Sequence, residues 1–161
     1  MLFDVDGVLT DGRLWYGPAG EALKVFHVLD GHGIKMLMQT GTAVALLSGR
    51  SSPAVSARAD ELGIVHILQG IGDKLAAFEA LTAELRIPAA EAGFMGDEVI
   101  DLPVMRRCGF ACAPAQAQER VRASAHYVTR APGGGGAARE ACEYLLRAQG
   151  RLEVALAPYL A

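Results

Sequence analysis

The sequence predicts an α/β protein in three layers, with helices on both faces of a parallel sheet. Three observations predict it. Short apolar runs alternate with segments of helical periodicity nearly to the end of the chain, as βαβ units do. Several of those runs stop at Asp, Ser or Gly, the residues expected where strands emerge at the ligand-binding edge of an open sheet. The 161 residues, 52% hydrophobic and only 20% charged, suffice for one domain over 1–161 with a core of ordinary size.

Taken in order, Leu2 to Val5 reads as the first strand. Arg13 to Val28 interrupts the alternation: Leu14, Trp15, Tyr16, Val25 and Phe26 flank Gly17 to Gly20, the pattern of a β-hairpin, here a flap over the sheet's carboxyl edge. Ala43 to Leu47, Val65 to Leu68 and Ala92 to Met95 are the next strands, and Phe110 to Ala113 and His126 to Val128 the last. Ser51 to Leu62 forms a helix, which Pro53 begins. From Asp73 to Leu85 the residues Leu75, Phe78, Leu81 and Leu85 recur at helical spacing. A glycine-rich loop at 131–136 precedes a helix from Gly136 to Ala148, where Ala138, Ala141, Cys142 and Leu145 share one stripe. Residues 149–161 form a tail.

Several function classes are excluded by composition. A net charge of −3, with 15 scattered Lys and Arg, provides no basic face for nucleic acid. No apolar run reaches membrane-spanning length and the N-terminus lacks a secretory pattern, so no membrane partner and a cytoplasmic location are expected. Cys108, Cys112 and Cys142 have neither a zinc nor a redox spacing and are expected as buried apolar residues.

The chemistry gathers at strand ends. Asp4 and Asp6 leave the first strand on one side, with Val5 opposite. Two carboxylates so close repel, so the pair suggests Mg²⁺, or one nucleophile and one acid, against the alternative of an acidic turn. Gly7 permits a tight turn beside a ligand. Ser48, directly after its strand, either holds a phosphate oxygen or caps the helix that follows. Lys74 opens a helix, where a cation opposes the macrodipole unless an anion or carboxylates lie in front of it. Asp97 can reach a cation shared with Asp4, and Asp101 lies one turn beyond it. Asp, Ser, Lys and Asp at successive strand ends are more specific together than any one alone.

These residues, in this order, resemble the four motifs of the haloacid dehalogenase superfamily, whose fold is a Rossmann-like α/β/α sandwich. Asp4 to Gly12, Val28 to Ile34, Leu47 to Ser52, Gly96 to Met105, Ala125 to Thr129 and the glycine-rich loop are similar to the branch that lacks a large cap domain, the 3-deoxy-D-manno-octulosonate 8-phosphate phosphatases. The resemblance implies Mg²⁺-dependent phosphomonoester hydrolysis through an aspartyl-phosphate. Asp4 would be the nucleophile and Asp6 the acid and base. Asp4, Asp97 and the backbone carbonyl of Asp6 would hold the metal, with Glu98 and Asp101 behind them. Ser48 and Lys74 would bind phosphate, and Asp30, Gly31, Lys35, Arg50 and Arg58 the sugar acid. It also implies a homotetramer in which the hairpins form a barrel and a neighbour completes each site.

Four positions depart from that pattern. Glu98 stands for an Asp, and Leu29 and His27 for an Arg and an Asn of the substrate loop. Gly135 stands for a basic residue of the glycine-rich loop. Weaker discrimination among sugar-acid phosphates, nonulosonate 9-phosphates included, is therefore expected. A catalytically weak regulatory or oligomerisation domain is the other class of reading, and the intact Asp4, Asp6, Ser48, Lys74 and Asp97 speak against it.

Overall fold

A computed structural model describes residues 1–18 and 20–160. Ala19 and Ala161 lie outside the described residues. Six parallel strands form the main sheet in the order β5-β4-β1-β6-β7-β8. They are β1 (Leu2–Phe3), β4 (Ala45–Leu47), β5 (His66–Leu68), β6 (Gly93–Met95), β7 (Phe110–Ala113) and β8 (Tyr127–Val128). A separate antiparallel pair, β2 (Trp15–Gly17) and β3 (Gly20–Leu23), makes the flap.

The helices are α1 (Val28–Gln39), α2 (Pro53–Leu62), α3 (Lys74–Glu84), α4 (Leu102–Arg107), α5 (Glu119–Ser124), α6 (Ala137–Ala148) and α7 (Leu152–Leu156). Alternation along β1 sorts them into layers. Phe3 joins Ile34 of α1, Leu62 of α2, Cys142 of α6 and Leu152 of α7 in one core. Leu2 joins Phe78 of α3, Val104 of α4 and Val121 of α5 in the other. Side chains of successive strand residues point to opposite faces, so a short strand such as β1 serves both cores at once.

The chain runs from β1 outward through β4 to β5, then crosses back past β1 to β6. The direction of winding reverses beside β1, and in open α/β sheets the crevice at the strand's carboxyl end is where ligands bind. Asp4 stands at that point.

Most strands are shorter than the sequence suggested: β1 stops two residues early, at Phe3, while β4, β5, β6 and β8 begin one or two residues late, and β7 has the expected span. Val5 is fully buried but lies in the turn after β1, where its carbonyl accepts from the N–H groups of Val8, Leu9 and Thr10. The flap is also shorter than expected: β3 ends at Leu23, and Val28 is the first residue of α1. His27 caps that helix, its Nδ1 accepting from Leu29 N–H at 3.2 Å, a local bond that ends the extended segment. The three cysteines are free and buried, as expected.

Candidate active site

Four loops at the carboxyl ends of β1, β4, β5 and β6 bring the site together. Asp4 is 5% exposed and anchored by its own N–H to the Met95 carbonyl at 2.9 Å. Asp6 follows within a turn knotted by Thr10, whose hydroxyl donates to the Val5 carbonyl at 3.4 Å and accepts from the N–H groups of Gly7 and Gly12. Gly7 sits at φ +91, and a β-carbon there would lie 2.0 Å from Asp97 Oδ2. Only glycine admits the Asp97 carboxylate so close to this loop.

Lys74 opens α3, behind the Asp73 cap that accepts from Ala76 N–H at 3.0 Å. Its side chain is 4% exposed, and Nζ lies 2.9 Å from Asp4 Oδ1 and 2.7 Å from Asp101 Oδ1. The conflict between a cation and a helix N-terminus is thus resolved by two carboxylates in front of it. The second Asp101 oxygen accepts from the N–H groups of Asp97 and Glu98, at 3.0 and 3.2 Å. Both Asp101 oxygens are therefore occupied in orienting neighbours. Glu98 is exposed and turns its carboxylate back onto Val99 N–H as a cap.

Carboxylate oxygens of Asp4, Asp97 and Asp101 lie within 4.8 Å of one another. Burial, then the charge of Asp101, pushes Asp4 up to about 6 against the opposing pull of Lys74. Burial, then Asp4 and Asp101, pushes Asp97 up to about 7. Lys74 is raised although burial alone would lower it, because Asp4 and Asp101 favour its charged form.

These are groups held at a cost that a cation would relieve. Asp97 Oδ1 and Asp6 Oδ2 are buried without a hydrogen-bond partner. Two hard oxygen donors from Asp4 and Asp97, an Asp97 oxygen with no hydrogen-bond partner among the described residues, and the raised pKa of both carboxyls fit a divalent ion such as Mg²⁺. Asp6 is not part of the three-carboxylate cluster. Its side chain turns instead to the flap, where Lys24 Nζ donates to Oδ1, and Arg50 Nε lies 3.9 Å from Oδ2. The two carboxylates at the end of β1 therefore have different cationic partners.

Ser48 is 2% exposed at the end of β4, and its Oγ accepts from Arg50 N–H at 3.2 Å. It does not cap α2; Ser52 occupies that position, without a side-chain cap bond. Arg50 itself reaches Glu21 at 2.9 Å and the Tyr16 hydroxyl at 3.2 Å, joining the β4 loop to the flap.

The remaining expected substrate residues are placed differently. Asp30 is 2% exposed and caps α6, accepting from Gly136 N–H at 3.2 Å and Arg139 N–H at 2.9 Å. Gly31 makes room for Arg58, whose Nη2 a β-carbon there would meet at 2.2 Å. Arg58 pairs with Glu61 at 2.8 Å and donates to the His27 carbonyl at 3.5 Å. Lys35 is exposed and forms no ion pair among the described residues.

Sequence reasoning missed Lys24, Glu21, Thr10 and Gln116. A lysine amid the apolar Ala22, Leu23, Val25 and Phe26 was the one visible signal. Gln116 gave none: it brackets two distant loops, donating to the Gly7 carbonyl at 2.7 Å and accepting from Gly133 N–H at 2.8 Å. Gly133 passes so close that a β-carbon would lie 1.9 Å from the Gly7 carbonyl oxygen.

Residues 61–140 match the family model of haloacid dehalogenase-like hydrolases. The 3-deoxy-D-manno-octulosonate 8-phosphate phosphatase KdsC of Yersinia pestis is 44% identical over 153 residues, 95% of this chain and 82% of that protein. Its counterpart from Escherichia coli K12 is 44% identical over 155 residues, 96% of this chain and 82% of that protein. Among solved structures, a probable YrbI family phosphatase from Pseudomonas syringae pv. phaseolica 1448a superposes with a TM-score of 0.97 at 51% identity, covering 99% of this chain and 91% of that one. The Moraxella catarrhalis octulosonate 8-phosphate phosphatase, solved with magnesium ion, phosphate ion and KDO, does so with a TM-score of 0.95 at 42% identity, covering 98% and 91%.

Proposed function

From a chain that belongs to the haloacid dehalogenase-like hydrolases, in the family of the 3-deoxy-D-manno-octulosonate 8-phosphate phosphatases, we propose hydrolysis of 3-deoxy-D-manno-octulosonate 8-phosphate to the free sugar acid and phosphate. The observation that carries the reading is the buried Asp4 carboxylate, oriented by Lys74 at 2.9 Å and facing Asp97 across Gly7. Asp4 attacks phosphorus and the phosphorus to sugar-oxygen bond breaks, giving an aspartyl-phosphate. Asp6 protonates the leaving sugar oxygen, then takes a proton from the water that cleaves the acyl-phosphate, the alternation a two-step hydrolysis requires. Ser48 and Lys74 take up charge on the equatorial oxygens.

Asp4 and Asp97, with the Asp6 carbonyl, are the residues that would hold Mg²⁺. When bound, it supplies positive charge that lets an anionic nucleophile meet an anionic phosphate. Asp101 keeps Lys74 and the Asp97 loop in place. Arg50, at the flap, is positioned for the sugar acid. Arg58, engaged with Glu61 and the His27 carbonyl, is the further cation proposed for the sugar acid.

The flap leaves Trp15 52%, Tyr16 65% and Val25 59% exposed, an apolar surface of the kind that covers itself by association. It supports a homotetramer joined through the flaps. The cytoplasm suits three free cysteines, and no described helix is long and apolar enough to cross a membrane.

The test is phosphate release across octulosonate 8-phosphate, nonulosonate 9-phosphates and hexose phosphates, with Asp4→Asn as control. The octulosonate ester is expected to exceed the hexose phosphates at least about tenfold in kcat/KM and the nonulosonate esters by less. Asp4→Asn is expected to abolish turnover. A preference for hexose phosphates sinks the substrate, and an active Asp4→Asn sinks the covalent scheme.

A further inference from the structure

Lys24 follows β3 in the flap, and its side chain is only 2% exposed. A lysine so completely buried is found where its charge is paired. Its Nζ donates to Asp6 Oδ1 and lies 3.3 Å from Glu21 Oε2. Arg50 makes the parallel connection, 2.9 Å from Glu21 and 3.9 Å from the other Asp6 oxygen. Asp6 and Glu21 are thus bridged twice, once by a cation from the flap and once by a cation from the β4 loop. The reaction described above uses neither Lys24 nor Glu21.

A lone two-stranded hairpin is marginal in water, and this one pairs with no strand of the main sheet. What ties it down at the catalytic edge includes this ring of charges, and one member of the ring is the group that must face the leaving oxygen. A carboxylate that donates and then accepts a proton works only from a fixed position, and small misplacement is costly. We infer that Lys24 is a positioning residue for Asp6: the flap delivers its ammonium group to one carboxylate oxygen and sets the direction of the other, with Glu21 holding Lys24 in turn. The substrate's leaving group is then met by an Asp6 whose orientation depends on the flap being seated. The assignment rests on Asp6 acting as acid and base.

The experiment measures kcat and KM for octulosonate 8-phosphate with Mg²⁺ in Lys24→Met, Lys24→Arg, Asp6→Asn and the Lys24→Met/Asp6→Asn double variant, together with melting curves. Lys24→Met is expected to lower kcat about tenfold to a hundredfold, with KM changed by no more than about threefold. Lys24→Arg is expected to recover most of that loss. In the Asp6→Asn background the Lys24→Met change is expected to cost less than about twofold more, because a residue acting through Asp6 has nothing left to position.

A raised KM with unchanged kcat, or the same fold-loss with and without the Asp6 carboxylate, overturns the assignment. Unimpaired turnover in Asp6→Asn would remove the acid–base reading itself, and the assignment with it. Should Lys24→Met fail to fold, Glu21→Gln decides: kcat reduced at constant KM supports the assignment, and unchanged kcat overturns it.

Discussion

Asp4 and Asp97 are ionisable groups placed where ionisation is unfavourable, and their pKa values are pushed up to about 6 and about 7 by burial and neighbouring carboxylates, against roughly 3.9 for a free Asp. A carboxyl raised on folding binds its proton more tightly in the native state. Stability without metal therefore increases as pH falls through these values, and is lost as pH rises above them. The metal-free protein in a chelator is expected to melt about 2–4 °C higher at pH 6 than at pH 8. Asp97→Asn is expected to flatten the difference, and so is Asp4→Asn although it abolishes turnover. Saturating Mg²⁺ is expected to raise the melting temperature most at pH 8, where the carboxylates are ionised and cost the apo protein most. A melting temperature that climbs with pH in chelator would contradict this account of the site. Lys74 belongs to the same balance: its ammonium group bridges Asp4 and Asp101, two of the three acids of the cluster.

At the scale of elements, the distinction between what the sequence showed and what it hid follows the length of the contact. Asp4, Ser48 and Asp97 could be read because each stands within two residues of a strand end, and Lys74 because it opens the helix after β5; strand ends converge at one edge whatever the intervening packing. The parallel sheet and its two helical layers followed from the same alternation, whereas the order β5-β4-β1-β6-β7-β8 depends on long-range pairing that no local pattern carries. Asp30 could not be read, since its partners, Gly136 and Arg139, lie 106 and 109 residues away, and a buried carboxylate beside Gly31 looks the same in sequence whether it meets a sugar or a helix end. The flap boundary was misread for a local reason: Val25, Phe26 and Val28 are apolar and β-prone, but the His27 cap starts a helix among them. Asp30→Ala leaves two N–H groups of α6 without an acceptor and is expected to cost about 1–3 kcal/mol in urea denaturation. Asp30→Asn, which keeps an acceptor, is expected to cost less. A substrate contact would give the opposite signature, a raised KM at unchanged stability.

Across the whole molecule, chemistry and association meet in the flap. Its inner edge carries Glu21 and Lys24 to Asp6, while Trp15, Leu23 and Val25 on it remain exposed. A hairpin held by this ring of charges at its inner edge keeps an apolar outer surface that remains exposed among the described residues. Covering that surface with identical flaps would seat each hairpin and bring a neighbour's residues toward each site. Trp15→Glu places a charge in that contact without touching Asp4, Asp6 or Lys74. Sedimentation is expected to show the unaltered protein as a species of about four chains, and Trp15→Glu shifted toward the 16.9 kDa chain. Its KM for octulosonate 8-phosphate is expected to rise more than tenfold as the neighbour's contribution to the site is lost, with a smaller fall in kcat. An unaltered protein that sediments at 16.9 kDa while fully active would show that one chain supplies the whole site, and would leave the exposed face of the flap with another partner.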